Sequence, residues 1–470
     1  MAVDQQRVTR LATGGLWRLL AEFSWPALVS MTLNALYNVI DRLYIGQGCG
    51  TEAIAGLTLT FPVMMVYASF GVLIGVGSSA LLSIKLGAKN RVDAEKVLGQ
   101  CVALKVALGL FLPPLMFCFL ETILRWSGGG AVSEIALGYA RQYLKTVLFF
   151  QLFSHLAFGL SGCIRSEGSP RASMFCMVVG FGLNLVLDPI FIFGLKLGVL
   201  GAAWATNIAM IGSCAFALAF YLKKGRSVVR LRLRRVWFYP DLAARVFGIG
   251  MAPFLQLLSG SVINFSMNYA FGRWSATQDA ATCSVAAFGI FQTVAMLCFM
   301  PIGGMQQGLG PIIGYNWGAR NFQRVRETLF VGIKATCAAC FLAWAIQVFC
   351  SYPLARCFAK ASETALLNTA SHAMRVANCM IWLIGINVVA TTFYQSVGRA
   401  HVAVFLSLLR QVICLLPCVW ILPHLFANHE LAIWLSMPVS DTLCCLATLP
   451  VVWWETRRLA QMGVRKQEGR

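Results

Sequence analysis

Apolar stretches of about 20 residues recur along the chain of 470 residues, and they constrain the fold more than any other feature. A helix of that length crosses a hydrocarbon layer of roughly 30 Å. Because backbone groups in lipid must bond within their own segment, each stretch is expected to be helical. Only 12% of the residues are charged and 58% are hydrophobic, so a bilayer is the predicted surrounding.

These stretches predict an all-α integral membrane protein with twelve transmembrane helices. The predicted helices one to twelve cover residues 22–47, 55–84, 98–121, 138–161, 171–196, 199–222, 244–272, 283–312, 328–352, 373–396, 402–424 and 430–455. The alternating strand pattern that is typical of membrane barrels does not occur.

The formal net charge of +20 raises the question of a nucleic-acid partner. The basic residues lie mostly in the termini, in a central linker at 223–243 and in loops of one side of the predicted topology. Basic loops face the cytoplasm. We therefore expect a multi-pass protein of the cell (plasma or inner) membrane with both termini cytoplasmic. We expect membrane lipid but no nucleic acid as a partner, and no cleaved signal peptide at the polar N-terminus.

The chain contains an internal duplication. The repeated motifs are GAKN at Gly87–Asn90 and GARN at Gly318–Asn321, SEG at Ser166–Gly168 and SVG at Ser396–Gly398, and prolines at Pro26 and Pro253. Their offsets of 231, 230 and 227 residues are nearly equal. They predict two pseudo-symmetric six-helix lobes with a binding site between them. The predicted parts are an N-terminus (1–21), an N-lobe (22–222), the linker (223–243), a C-lobe (244–455) and a C-terminal tail (456–470).

Two acidic residues inside the predicted helices of the N-lobe are candidate functional groups, because ionisable residues are costly in a membrane. Asp41 lies about 9 Å and Asp188 about 12 Å from the outer ends of helices one and five. Thr206 lies about 10 Å from the outer end of helix six. The three side chains are therefore expected at a similar depth.

Polar neighbours share a helix face with each acid. Tyr37 and Asn34 precede Asp41 by four and seven residues, and Asn184 precedes Asp188 by four. Asn34 and Tyr37 are also candidate substrate contacts. The paired acids could hold a shared proton. The site could instead bind a Na⁺, with Asp41, Asn184, Asp188 and Thr206 as ligands. The alternative is that both acids are hydrogen-bonded structural residues.

The C-lobe carries no acid in predicted helix seven or ten, and it offers amides instead. Asn264, Asn268, Gln292 and Met296 are candidate substrate contacts, although such amides commonly join helices and methionines commonly fill space. Asp441 in helix twelve is the third acid inside a helix, and a structural role for it is slightly favoured over a transport role.

Several motifs together resemble the multidrug and toxic compound extrusion (MATE) family, especially its MepA-like and DinF-like bacterial branches. They are YNVIDRLYIG (Tyr37–Gly46), RSEGSPR (Arg165–Arg171), GLNLVLDPIFI (Gly182–Ile192), GVLGAAWAT (Gly198–Thr206) and GYNWGARN (Gly314–Asn321). The resemblance implies a MATE/MOP-type fold that exchanges organic, often cationic, compounds for H⁺ or Na⁺ by alternating access.

The resemblance also implies site residues. The family's acid in the first helix corresponds to Asp41, with Tyr37 before it. Its asparagine and aspartate in the fifth helix correspond to Asn184 and Asp188, and its threonine in the sixth helix corresponds to Thr206. It implies a monomer that acts on small organic molecules and has no cofactor besides the coupling ion.

Two other functions are less compatible with the sequence. A lipid-linked saccharide flippase of the same architecture needs a strongly basic cavity, and the candidate basic residues lie near helix ends or face an undetermined direction (Lys105, Arg141, Lys145 and Arg375). An integral membrane enzyme needs a catalytic motif, and the five histidines form neither HxxxD nor HExxH.

Overall fold

The structure is a computed structural model that describes residues 9–125, 133–223, 225–275, 277–360 and 362–467. Parts of the predicted termini, and Lys224 of the linker, lie outside the described residues. Within the described ranges the chain is almost entirely helical and contains no strand.

Twelve long helices follow one another in the described part of the chain. They are α1 (Leu16–Cys49), α2 (Thr51–Gly87), α3 (Arg91–Cys118), α4 (Glu134–Ser166), α5 (Pro170–Pro189, continued by a π turn over Ile190–Gly194), α6 (Gly198–Leu222), α7 (Pro240–Trp274), α8 (Gln278–Gly318), α9 (Phe322–Phe349), α10 (Thr364–Ala377 and Ile384–Ser396), α11 (Ala400–Leu408 and Leu416–Leu425, joined by a π segment over Leu409–Leu415) and α12 (His429–Gln467). Short helices over Leu120–Leu124 and Ser351–Arg356 follow α3 and α9.

The all-helical membrane fold is confirmed. Ten helices of the described chain are long and apolar enough to cross a membrane, and α10, taken as one bent span, makes eleven. The remaining helix, α1, has 34 residues, a length of about 51 Å. It is less apolar because it carries Asp41 and other polar side chains.

The predicted helix ten differs most from the structure. α10 begins at Thr364 rather than at residue 373, and it bends by 44° between Ala377 and Ile381. Its first segment is amphipathic rather than uniformly apolar, so hydropathy alone does not detect it. Within the break, Asn378 donates a hydrogen bond to Gln347 Oε1 of α9 at 3.0 Å, which compensates for burying the amide.

The helices form two compact units. One unit comprises Met1–Gly15, Trp25–Phe254 and Gly314–Arg320, and the other comprises Leu16–Ser24, Leu255–Ile313 and Asn321–Arg470. α1, α7 and α8 therefore contribute to both units. The first unit has apolar clusters around Leu144 and Ile45, and the second has an aromatic cluster around Trp434.

The repeated motifs fold in the same way in both halves. Lys89 and Arg320 have positive φ angles of 57° and 56°. The asparagine that follows each of them caps the next helix by accepting a backbone hydrogen bond, at 3.0 Å for Asn90 and 3.4 Å for Asn321. The duplication seen in the sequence is therefore also a duplication of backbone conformation.

The glycines of the same motifs allow close contact between helices. A Cβ atom on Gly87 would lie 1.9 Å from Tyr315 O, and one on Gly318 would lie 2.0 Å from Ile84 O. The ends of α2 and α8 thus meet backbone to backbone, each through its own glycine. A side chain at either position would separate the two helices.

Candidate cation site

Four of the predicted site residues meet in the first unit. The Asn184 amide on α5 donates to Asp188 Oδ1 at 3.1 Å and to Thr206 Oγ1 on α6 at 3.3 Å. The hydroxyl groups of Tyr37 on α1 and Thr206 are 3.3 Å apart. Three helices therefore converge on the Thr206 hydroxyl.

The carboxyl groups of Asp41 and Asp188 lie close enough to interact with each other. Both residues are buried, with exposed fractions of 7% and 1%. Two carboxylates at this separation in a low-dielectric interior repel each other unless a proton or cation lies between them. Asp41 forms no ion pair among the described residues. Its sequence neighbour Arg42 is exposed.

Three oxygen atoms of this cluster are buried and accept no hydrogen bond. They are Asp41 Oδ1, Asn184 Oδ1 and Asp188 Oδ2. Buried polar atoms without partners are uncommon and call for an explanation. Carboxylate, amide and hydroxyl oxygens are ligands that hard cations accept, and a carboxylate pair also holds a proton. The residues present therefore fit either coupling ion.

The local sequence of α5 explains how Asn184 and Asp188 come together. A spacing of four places both side chains on one helix face. Pro189 follows Asp188, and the regular helix changes there into the π turn. Gly201 of α6 lets the two helices approach, since a Cβ atom there would lie 2.8 Å from Phe191 O. The cluster is thus held between tightly apposed helices.

Tyr143 on α4 lies beside these residues and was not predicted. Its side chain is buried near Thr206 and near both acids. On the other side, the Tyr37 ring stacks on Phe181 with centroids 5.7 Å apart. A buried tyrosine normally needs a partner for its hydroxyl, and this was the available signal for Tyr143.

The structure does not bury Asn34 with these residues. Asn34 is exposed on α1, one turn before Tyr37. The cluster of Tyr37, Asp41, Asn184, Asp188 and Thr206, which we call the acid cluster, therefore excludes it.

The predicted substrate contacts of the C-lobe divide into two pairs. Gln292 on α8 donates to Asn264 Oδ1 on α7, and the Asn264 amide donates to Gly260 O at 3.0 Å. Asn268 and Met296 are exposed, Met296 to 61%. Asn264 and Gln292 thus join α7 to α8, whereas the other two side chains remain open to contacts.

Asp441 has a partner that was not predicted from the sequence. Arg410, in the π segment of α11, donates from Nε to Asp441 Oδ1 at 2.8 Å. Ser440 also donates to the Arg410 carbonyl at 2.8 Å. Asp441 is therefore a paired acid that joins α11 to α12. The signal was a single arginine near the middle of an apolar helix.

Lys105 lies in the interior rather than near a helix end. It is fully buried on α3, and no carboxylate pairs with it among the described residues. Its ammonium group donates to Gly71 O of α2 and lies 5.7 Å from the centroid of the Phe158 ring. The carbonyl and the ring partly replace the hydration of the cation.

Comparison with known proteins covers nearly the entire chain. The MatE family model matches residues 26–190 and 253–421. The "Multidrug export protein MepA" of Staphylococcus aureus (strain N315) is 27% identical over 448 residues, with 94% of this chain and 95% of the relative covered. The protein of the same name from Staphylococcus haemolyticus (strain JCSC1435) is 24% identical over 444 residues, with 94% and 95% covered.

Solved structures share the fold. A crystal structure of a MATE in the bent conformation has a TM-score of 0.89 at 24% identity, covering 97% of this chain and 99% of the other. A multidrug resistance MATE family transporter of the MOP superfamily, in an outward-facing conformation, has a TM-score of 0.87 at 23% identity, covering 96% and 98%.

Proposed function

The chain belongs to the MatE family, and on that premise we propose that it is a multidrug efflux transporter that exchanges organic, often cationic, compounds for H⁺ or Na⁺ by alternating access. The export activity named for its MepA relatives supports the first part of this proposal. The acid cluster supports the second part. The chain is accordingly a transporter and not an enzyme.

The observation that carries the coupling proposal is the set of three buried, unpartnered oxygens on Asp41, Asn184 and Asp188. Without an ion, the cluster contains two facing carboxylates and leaves acceptors unsatisfied, which is unfavourable. One proton shared by the acids, or one Na⁺ with oxygen ligands, removes the repulsion. The Thr206 hydroxyl and the Tyr37 hydroxyl then orient the ligands.

Coupling follows if drug and ion compete for the same negative charge. With both acids ionised, the N-lobe attracts a lipophilic cation. When H⁺ or Na⁺ enters, the acids are neutralised and the drug is released outward. Pro26 lacks a backbone donor inside α1, so this helix can bend as the ion binds. Ion and drug need only bind the two conformations differently for exchange to occur.

Further parts of the proposal concern placement and partners. We place the protein in the cell (inner) membrane as a monomer with both termini cytoplasmic, because the basic loops lie on that side. Asn268 and Met296 are exposed, and we propose that they contact small organic substrates.

The lipid-linked saccharide flippase is disfavoured because Asp441 neutralises the guanidinium of Arg410. It is disfavoured also because the Lys105 ammonium is engaged by the Gly71 carbonyl and the Phe158 ring.

The test is dye efflux from proteoliposomes under an imposed proton gradient and then under a sodium gradient. Wild type should respond to one of them, and Asp41→Asn should lose the response while remaining folded. The control is Asp279→Asn, which makes the same chemical change at an exposed acid. Gradient-driven efflux by Asp41→Asn at the wild-type rate would contradict the coupling proposal.

A further inference from the structure

The linker between the two halves forms a cavity at the membrane surface. The cavity has a volume of about 260 Å³, and its lining includes Tyr221, Lys223, Ser227, Arg230 and Arg232. α6 ends at Leu222 and α7 begins at Pro240, so the linker lies where two membrane helices emerge from the bilayer. Three cationic side chains therefore surround one small space beside the lipid headgroups.

Hydrogen bonds hold the cavity-forming part of the linker in place. Buried Glu167 accepts from Ser227 Oγ and from the Val228 backbone, both at 2.9 Å. Arg91 Nε donates to Val228 O at 2.8 Å. The loop is thus preorganised, and a ligand need not order it on binding.

The end of the linker is also attached to the first unit. Arg235 pairs with Glu95 of α3, and the Tyr239 backbone donates to Gln100 Oε1 at 2.6 Å. Arg232 lies 3.2 Å from the same Glu95 carboxylate. Glu95 and Glu167 are the acids in contact with this segment, and each is already engaged. Neither acid pairs with Lys223 or Arg230, so these two side chains add positive charge to the linker.

The outer surface of the linker is apolar as well as basic. Leu233 is 85% exposed, Trp237 70% and Phe238 54%. Large apolar side chains are seldom exposed together beside arginines on a surface that faces only water. Tryptophan and arginine are both favoured at the level of the headgroups.

We infer that the linker binds the phosphate of an anionic phospholipid in the adjacent leaflet. Lys223 and Arg230 hold the headgroup phosphate in the cavity, beside the paired Arg232. Leu233, Trp237 and Phe238 insert beside the acyl chains. Charge complementarity selects the anionic headgroup, and the exposed apolar side chains of the linker select a lipid over a soluble phosphate. The inference rests on the membrane location in the proposed function and not on ion coupling.

The experiment measures lipid binding by the full-length protein in detergent, through native mass spectrometry and thermal melting. Phosphatidylglycerol should bind and raise the melting temperature, whereas phosphatidylcholine with the same acyl chains should not. Lys223→Gln/Arg230→Gln should weaken phosphatidylglycerol binding about 30-fold. Its melting temperature without lipid should equal that of wild type. Trp237→Ala should weaken binding of the lipid but not binding of glycerol phosphate.

Arg356→Gln/Lys360→Gln is the matched control, because it removes two exposed charges elsewhere in the chain. Equal binding of both lipids, wild-type affinity in the Lys223/Arg230 variant, or equally tight binding of inorganic phosphate would each overturn the inference. None of these readouts involves transport. If the efflux test with Asp41→Asn contradicts the coupling proposal, the result on lipid binding is unaffected.

Discussion

The hydroxyl groups of Tyr37 and Thr206 lie 3.3 Å apart, although 169 residues separate them in the sequence. The same Thr206 oxygen accepts a hydrogen bond from the Asn184 amide at 3.3 Å. Thr206 therefore links α1, which carries one acid, to α5, which carries the other. A group with two such contacts should influence how both acids present their oxygens to an ion.

Replacing Thr206 by valine should weaken ion coupling without unfolding the protein, because valine keeps the shape and removes the hydroxyl. A hydrogen bond contributes about 1 kcal/mol, and 1.4 kcal/mol is tenfold in affinity. We expect the half-saturating ion concentration for dye efflux to rise about fivefold, and Thr206→Ser to restore it. Thr282→Val, at an exposed threonine, is the control. An unchanged ion dependence would remove Thr206 from the site.

Most of the acid cluster could be anticipated because its geometry is local. A spacing of four residues fixes Asn184 and Asp188 on one face, and distance from the helix end fixes the depth of Asp41. Which helices touch is not local information. Tyr143 and Arg410 were missed because each acquires its role from a partner on another helix.

Removing one partner of the ion pair between Arg410 and Asp441 should destabilise the protein more than removing both partners. Asp441→Asn leaves a guanidinium without its counter-charge in the membrane interior, and such a loss costs about 3 kcal/mol or more. Arg410→Met/Asp441→Leu removes both charges and should recover most of that stability.

Chemical denaturation of the purified protein in detergent measures both variants of this pair. Arg410 is still 30% exposed, so we expect the lower end of the range for Asp441→Asn. If the single and double variants are equally destabilised, the residues contribute through packing rather than through their charges.

Gly87→Ala should destabilise the protein, because the added methyl group would lie 1.9 Å from Tyr315 O. Backbone cannot move aside as a flexible side chain does, and overpacking of this kind costs about 1–3 kcal/mol. Gly138→Ala on α4 is the matched control, since nothing lies within 4 Å of its added Cβ. Equal melting temperatures for Gly87→Ala and Gly138→Ala would show that α2 and α8 are not closely packed at this glycine.

Glu167 should make stability depend on pH. This residue lies in the loop between α4 and α5, outside the membrane helices, and is 1% exposed. Burial raises its pKa from the ordinary 4.5 to about 7, although the Ser227 hydroxyl and the Val228 backbone oppose the change. Between pH 4.5 and 7 the folded protein therefore binds a proton that the unfolded chain has released.

The sign of the effect follows from that difference. The stabilisation by the protonated Glu167 carboxyl is complete below pH 4.5 and is lost as the pH rises through about 7. The total loss is about 3 kcal/mol, since each pKa unit is worth about 1.4 kcal/mol. Glu167→Gln keeps an acceptor for Ser227 and Val228 but cannot ionise, so it should be more stable than wild type at pH 8.

The measurement is the difference in unfolding free energy between Glu167→Gln and wild type from pH 4.5 to pH 8.5. Subtraction removes the titration of all other groups, including the acid cluster. The difference should grow by about 1.4 kcal/mol per pH unit over the window below pH 7 and become constant above it. Glu134→Gln, at an acid that is 85% exposed, should show no such growth. A difference for Glu167→Gln that is independent of pH would mean that this carboxyl titrates normally and that the linker does not bury it.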